Sequence, residues 1–392
     1  LRNGFFVDKQ GLTSYNWGLF EVPTVGWDFK GDSGASVFVG VGFIQPAFRV
    51  TEGSQMRPMR RALFMPILLL LLSGGCSPLP PGIGSDHEVM VLANPEDWEM
   101  VYPLLQEIFE RKVRTPQEEN VFTVRKIAQA KFDLYKKSRN LLLISPLNSV
   151  GPAAQEINSL LSPQARQMVE EGRAFLFAKR DVWAKDQELV ILTAPTYLAL
   201  REKLAEGKED VFRVMEKALN EKTMVWLFKK GEQKKLEKEL FQKWGWHLRI
   251  PWGFSLRSEA PGFVWLLKKV PDRWISIWWE ESEDSILTPQ WVIKKKNEIG
   301  RTYYQGEEVV SSYLGWRRVS LNGHRGWKVW GTWQNPQLVA GGPFRLYCFW
   351  DRESKRRYIV DGALFAPGIK KEPYLRQLDL IMQTFTTKYQ SP

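Results

Sequence analysis

Tryptophan set at strand spacing is the feature that most restricts what this chain can fold into. Fourteen of its 18 tryptophans fall between Trp226 and Trp350. In residues 273–281, RWISIWWEE, strand geometry sends successive side chains to opposite faces. Trp274, Ser276 and Trp278 then share one face, and Ile275, Ile277 and Trp279 the other. In residues 326–333, GWKVWGTW, Trp327 and Trp333 share a parity and Trp330 opposes them. Both faces of at least two strands therefore carry indole. One reading is a two-sided tryptophan core. The other is an aromatic platform for glycan, peptide or lipid, built from Trp274, Trp278, Trp327, Trp330 and Trp333 with Arg325. Arg317, Arg318, Lys328, Arg356 and Arg357 are close enough in sequence to meet anionic groups on such a ligand.

The rest of the composition narrows the class. Hydrophobic residues at 44% and charged residues at 25% are globular values and exclude a disordered chain. No apolar run reaches the roughly 18 to 20 residues that span a bilayer as a helix. Two cysteines and three histidines leave no disulfide scaffold and little for a metal site, so neither metal nor cofactor is expected.

An export signal stands well inside the chain. Residues 56–76 read MRPMRRALFMPILLLLLSGGC: three arginines, an apolar stretch from Ala62 to Leu72, small residues, then Cys76. The layout resembles the lipobox of bacterial lipoproteins, with Ser73 where Leu is usual. The resemblance implies that the Cys76 sulfur carries a diacylglycerol and becomes the first residue after cleavage. Residues 1–55 then read as an upstream, non-native segment, with translation from Met56 or Met59. Residues 56–75 are the signal peptide and 76–85 a Pro/Gly tether. From Cys76 onward 48 basic side chains face 39 acidic ones, net +9. The expected address is the cell envelope, held on the outer membrane facing the periplasm. Cys348 is then a lone thiol in an apolar alternation, read as buried core.

Two α+β domains are expected, each an antiparallel or mixed sheet packed by helices, over residues 86–246 and 247–388. Strands are read at 88–93, 122–128 and 141–145, and a pair within 174–195. Asn94 is placed as the N-cap of a helix over 95–111, and 162–172 reads as a short helix. Residues 196–228 read as helical throughout, and 229–245 as a charged amphipathic helix whose interleaved acids mark a solvated face, not a nucleic-acid patch. From His247 strand signals take over, with a helix at 287–303 capped by Thr288. Hairpins follow at 318–334, turning at Asn322-Gly323, and at 345–367, before a closing helix at 371–385.

Several segments together resemble a family, the domain of unknown function 4837. They are DVWAKDQELVILTAP (181–195), IPWGFSL (250–256), FVWLLKK (263–269), LTPQWVIKKKNEIG (287–300), LNGHRGWKVWGTW (321–333), GGPFRLY (341–347) and VDGALFAPGIKKEPYLRQLDLI (360–381). The resemblance runs over roughly 86–388 and implies an envelope lipoprotein of a Bacteroidota-type bacterium. It transfers no catalytic residue. The strand opening with IPxGF, the mid helix and the final helix also look like the Mog1/PsbP-like fold for the second domain.

No G-x-S-x-G, H-E-x-x-H or P-loop is present. His324 is explained by its turn and His247 by packing. Asp181, Asp186 and Asp361 read as turn or salt-bridge carboxylates, and the acids at 280–284 lack calcium-loop order. The expectation is a non-enzymatic binding or assembly factor, anchored to the membrane through Cys76, with a glycan, peptide or envelope-protein partner and no nucleic acid. The competing expectation is an envelope hydrolase acting on cell-wall material.

Overall fold

The computed structural model describes residues 78–388 and the short strand Phe38–Val39. The signal-like segment, Cys76 and the remaining residues before 78 lie outside the described residues. The first half runs through β1 (Phe38–Val39), β2 (Glu88–Ala93), α1 (Pro95–Phe109), a ribbon of β3 (Lys112–Val113) and β4 (Glu119–Asn120), and β5 (Thr123–Lys126). It continues with α2 (Phe132–Tyr135), β6 (Asn140–Ile144), α3 (Pro152–Leu160), α4 (Pro163–Glu170), β7 (Leu176–Arg180), β8 (Glu188–Leu192), α5 (Tyr197–Glu206) and α6 (Lys208–Phe228). The second half comprises α7 (Lys234–Trp244), β9 (Ser255–Ala260), β10 (Phe263–Lys268), β11 (Asp272–Glu281), α8 (Pro289–Tyr303), β12 (Glu308–Leu321), β13 (His324–Asn335), β14 (Ala340–Asp351), β15 (Arg356–Phe365) and α9 (Glu372–Met382).

The first sheet is mixed, in the order β1-β7-β8-β6-β2-β5. β2, β5, β6 and β8 pair in parallel, and β7 is antiparallel to β8. β6 (NLLLI) and β8 (ELVIL) are buried at every position, as central parallel strands covered on both faces must be. Val89 and Val91 of β2 pack with Leu105 and Ile108 of α1 and Met215 of α6. Leu92, Leu141 and Leu143 face Ala153 and Ile157 of α3 on the other side.

The second sheet is antiparallel throughout, in the order β12-β13-β14-β15-β11-β10-β9. Its pleat divides the apolar residues as the alternation requires. Ile275, Ile277 and Val360 pack under α9 with Leu378, Ile381 and Met382. Trp274, Trp333, Phe344 and Ile359 pack under α8 with Val292 and Ile299. Leu227, at the end of α6, and Leu240 of α7 join the α9-side core.

Local chemistry explains most boundaries. Thr288 caps α8 by accepting from Trp291 N at 3.2 Å, and Ser162 caps α4 by accepting from Ala165 N at 3.2 Å. Asn322 and Gly323 both take positive φ, as a type I′ turn needs. Several features depart from the sequence reading. The helical run 196–228 breaks at Gly207, where a Cβ would lie 2.4 Å from the Phe175 ring. The stretch expected as a tether docks instead: Gly82 N donates to Lys185 O and Arg139 N to Ile83 O, each at 2.9 Å. Asn94 takes the N-cap position of α1, its carbonyl accepting from Asp97 N and Trp98 N at 3.1 Å each, but its side chain makes no cap bond. Its amide donates to Asp97, Ser145 and Ser149, and its oxygen accepts from Ala153 N, so it fastens α3.

Candidate functional site: a basic cleft between the halves

Helix α9 joins the two halves, and its hold on the first half shapes the cleft beside it. The Glu119 carboxylate accepts from Lys371 N and Glu372 N, at 2.8 Å each. Arg376 donates to Glu372 at 2.8 Å and to Asn220 of α6 at 2.6 Å. These contacts tie the start of α9 to the β4 ribbon and to α6.

One turn further along, Asp379 faces the second sheet. Strand parity places Lys328 and Trp330 of β13 on that face. Arg317 of β12 and Tyr347 of β14 flank Lys328 in register, and Arg345 flanks Trp330. Lys328 Nζ lies 2.7 Å and Arg345 Nη1 3.2 Å from Asp379 Oδ2, while Tyr347 OH donates to Oδ1 at 2.9 Å. Burial by itself would raise the Asp379 carboxyl, but the Lys328 and Arg345 cations outweigh it and hold it below the usual carboxylate range. The same burial pulls the Lys328 ammonium down and pushes the Tyr347 hydroxyl up.

Around this locked cluster a cleft of about 890 Å³ opens between the halves. Among the described residues, seven basic side chains and two acidic ones line it. Lys112 and Arg114, beside the β3 ribbon, and Arg317 on β12 are exposed and have no ion-pair partner among the described residues. Arg111 and Arg376 are already held by Glu209 and Glu372. Asp379 is saturated with donors and is no general base. The arrangement offers unneutralised cations on the rim, a fixed cationic floor and the half-buried Trp330 indole. Its chemistry suits an anion.

The six residues expected as a platform do not share one surface. Trp274 and Trp333 are 5% and 3% exposed, with ring centroids 5.4 Å apart in the α8-side core. This corrects the expectation for both, because α8 covers the face their parity selects. Trp278 is half-buried under Lys295, whose Nζ is 4.8 Å from the ring. Trp327 donates its N–H to Leu287 O at 2.8 Å and lies beneath the Arg318 guanidinium at 3.9 Å. Trp330, on the opposite face, lines the cleft, and Arg325 is exposed beside the hairpin turn.

Other flagged side chains have structural partners. His324 stacks on Phe349 and lies 3.5 Å from Asp351. Asp361 pairs with Lys296 at 2.7 Å within the α8-side core. Glu280 and Asp284 are taken up by Arg357, and Glu283 by Lys355. Cys348 is buried, which pushes its thiol up. Lys112, Arg114, Arg345 and Asp379 were not picked out from the sequence. A readable signal exists for Asp379 alone: an acid on the flank of α9 that carries Leu375, Leu378 and Met382.

Comparison with known proteins divides the chain in two. Residues 82–226 match the family model described as domain of unknown function DUF8532, and residues 232–384 match the one described as DUF4837. The likeness read over 86–388 is thereby corrected in extent, since the segment 181–195 falls in the first of these families. No curated protein matches. Similar solved structures include the Saccharomyces cerevisiae Ran-binding protein Mog1p, 11% identical over 36% of this chain and 90% of that one, with a TM-score of 0.25. A mutant of protein Mog1 is 10% identical over the same shares, with a TM-score of 0.26. A Bacteroides thetaiotaomicron VPI-5482 protein is 8% identical over 37% of this chain and 45% of that one, with a TM-score of 0.23. The second half of the chain, from Glu232 to Thr384, is thus similar to the DUF4837 family of domains of unknown function.

Proposed function

We propose that this chain is an envelope lipoprotein that binds an anionic ligand, without transforming it, in the cleft between its halves. The observation that carries the reading is the set of three exposed cations without carboxylate partners among the described residues, Lys112, Arg114 and Arg317, beside the Lys328–Asp379–Arg345 cluster. Holding so many like charges together costs free energy by mutual repulsion, and a bound anion offsets that cost. The residue pattern ending at Cys76 supports anchorage in the outer membrane, facing the periplasm.

Titration calorimetry with trigalacturonate, a short carboxylated sugar, tests the binding reading. Replacing Lys112, Arg114 and Arg317 together by Ala is expected to weaken binding at least tenfold and to flatten its salt dependence. Equal affinity in the variant would sink the reading. For the address, labelled palmitate is expected in the chain started at Met56 and not in its Cys76→Ala form. Absence of label from both would remove the lipoprotein reading.

The alternative, a hydrolase of cell-wall material, points to Glu307, which lines a small space with Lys296, Asn297 and Trp333. Burial pushes its carboxyl up to about 8, close to the Asp361 carboxylate. Soluble fragments released from cell-wall sacculi, and lost in Glu307→Gln, would favour that alternative.

A further inference from the structure

A second cleft, of about 1090 Å³, lies around the tip of the β12–β13 hairpin. It shares Asn322 and Gln383 with the cleft between the halves. Those two residues are joined directly, Asn322 Nδ2 donating to Gln383 O at 2.9 Å. The two clefts therefore meet across one small polar saddle.

Strand geometry makes both clefts basic. Arg317 and Arg318 are consecutive on β12, so their side chains leave on opposite faces. Arg317 pairs across the ladder with Lys328 and lines the first cleft, while Arg318 pairs with Trp327 and lines the second. Arg325 and Arg352 join Arg318 there. All three are exposed and have no ion-pair partner among the described residues. The acids of the second cleft are occupied. Asp351 accepts from Ser354 Oγ at 2.6 Å and faces His324, and Glu353 pairs with Lys388 at 2.8 Å. Among the described residues each cleft thus carries three unneutralised cations, and the two clefts meet at the tip of one hairpin.

A small anion needs one such cluster. Two clusters on adjoining clefts match a chain with repeated negative charge, since linked contacts add without a second loss of translational freedom. The half-buried indoles of Trp330 and Trp350 stand beside the cations and offer flat apolar area suited to sugar faces. We infer that the two clefts are subsites of one extended site, and that its ligand is a linear polyanionic glycan. The inference rests on the anion-binding reading of the first cleft. The export signal in the sequence favours a glycan over nucleic acid, the other polymer that basic and aromatic side chains hold.

The test compares oligogalacturonates of three and twelve sugars on the full chain, beside a neutral twelve-sugar glucan and a twelve-nucleotide oligothymidylate. The twelve-sugar anion is expected to bind at least tenfold tighter than the trimer. Replacing Arg318, Arg325 and Arg352 by Ala is expected to erase that gain and leave trimer affinity unchanged, with the neutral glucan silent. These side chains are exposed, and an unaltered circular dichroism spectrum checks that the variant folds. Equal binding of trimer and twelve-mer, with the variant silent, would overturn the extended site while the first cleft's reading stands. Trimer binding that ignores Lys112, Arg114 and Arg317 would overturn the first cleft's reading itself. Oligothymidylate binding tighter than the glycan would overturn the ligand class.

Discussion

Glu307 sits just past α8, where burial pushes its carboxyl up to about 8. The Lys296 ammonium opposes that rise and the Asp361 carboxylate adds to it. The unfolded chain holds a glutamate near pKa ~4.3. A folded pKa above that value means stability that is full below about pH 4 and is lost as pH rises through about 8. Urea unfolding midpoints of the native chain are therefore expected to fall between pH 5 and pH 9. Glu307→Gln is expected to flatten that fall and to raise the midpoint at pH 9; an unchanged pH dependence would show that Glu307 does not carry it. At this scale the sequence was informative about direction and poor about environment. Residue parity alone separates Trp274 and Trp278 from Trp279, and Trp327 from Trp330. Burial and partners came from elsewhere: Trp333 is closed off by α8, and Lys328 is neutralised by an acid 51 residues away.

Helix α9 has no side-chain cap within its own segment. Its first amides are satisfied by Glu119, which reaches them from the β4 ribbon and also complements the positive end of the helix dipole. Glu119→Ala strips a buried acceptor from these donors and is expected to destabilise the protein by about 1 to 3 kcal/mol. Chemical denaturation measures the cost, and Glu119→Gln, which keeps an acceptor, is expected to recover part of it. An alanine variant as stable as the native chain would show that the cap is idle. Elements with strong local signals were legible: the Thr288 cap, the Asn-Gly turn and the buried runs of β6 and β8. The break at Gly207 was not, because a lone glycine inside an apolar helical period is tolerated by the local pattern. The Phe175 ring, 2.4 Å from where a Cβ would stand, leaves room only for glycine at that break. The first ten residues of β12 were missed as well. They lie on a sheet edge with a register shift between Val310 and Gly315, so no steady alternation marks them.

Over the whole molecule, the excess of positive charge is visible in the sequence as a sum, and only the fold shows where it gathers. Lys112 and Arg114 belong to the first half and Arg317 to the second, yet all three line one cleft. The mixed first sheet and antiparallel second sheet put α6 and α9 side by side. Arg376 then meets Asn220, and Glu119 meets an amide 252 residues away. The sequence by itself determined the α+β character, the face that each strand residue takes and the turn and cap chemistry, because those follow from backbone periods of two and 3.6 residues. Tertiary structure alone decided which tryptophans are sealed, which acids neutralise which bases and where unpaired cations collect. Those outcomes depend on how distant elements dock, and no local period in the chain records that docking.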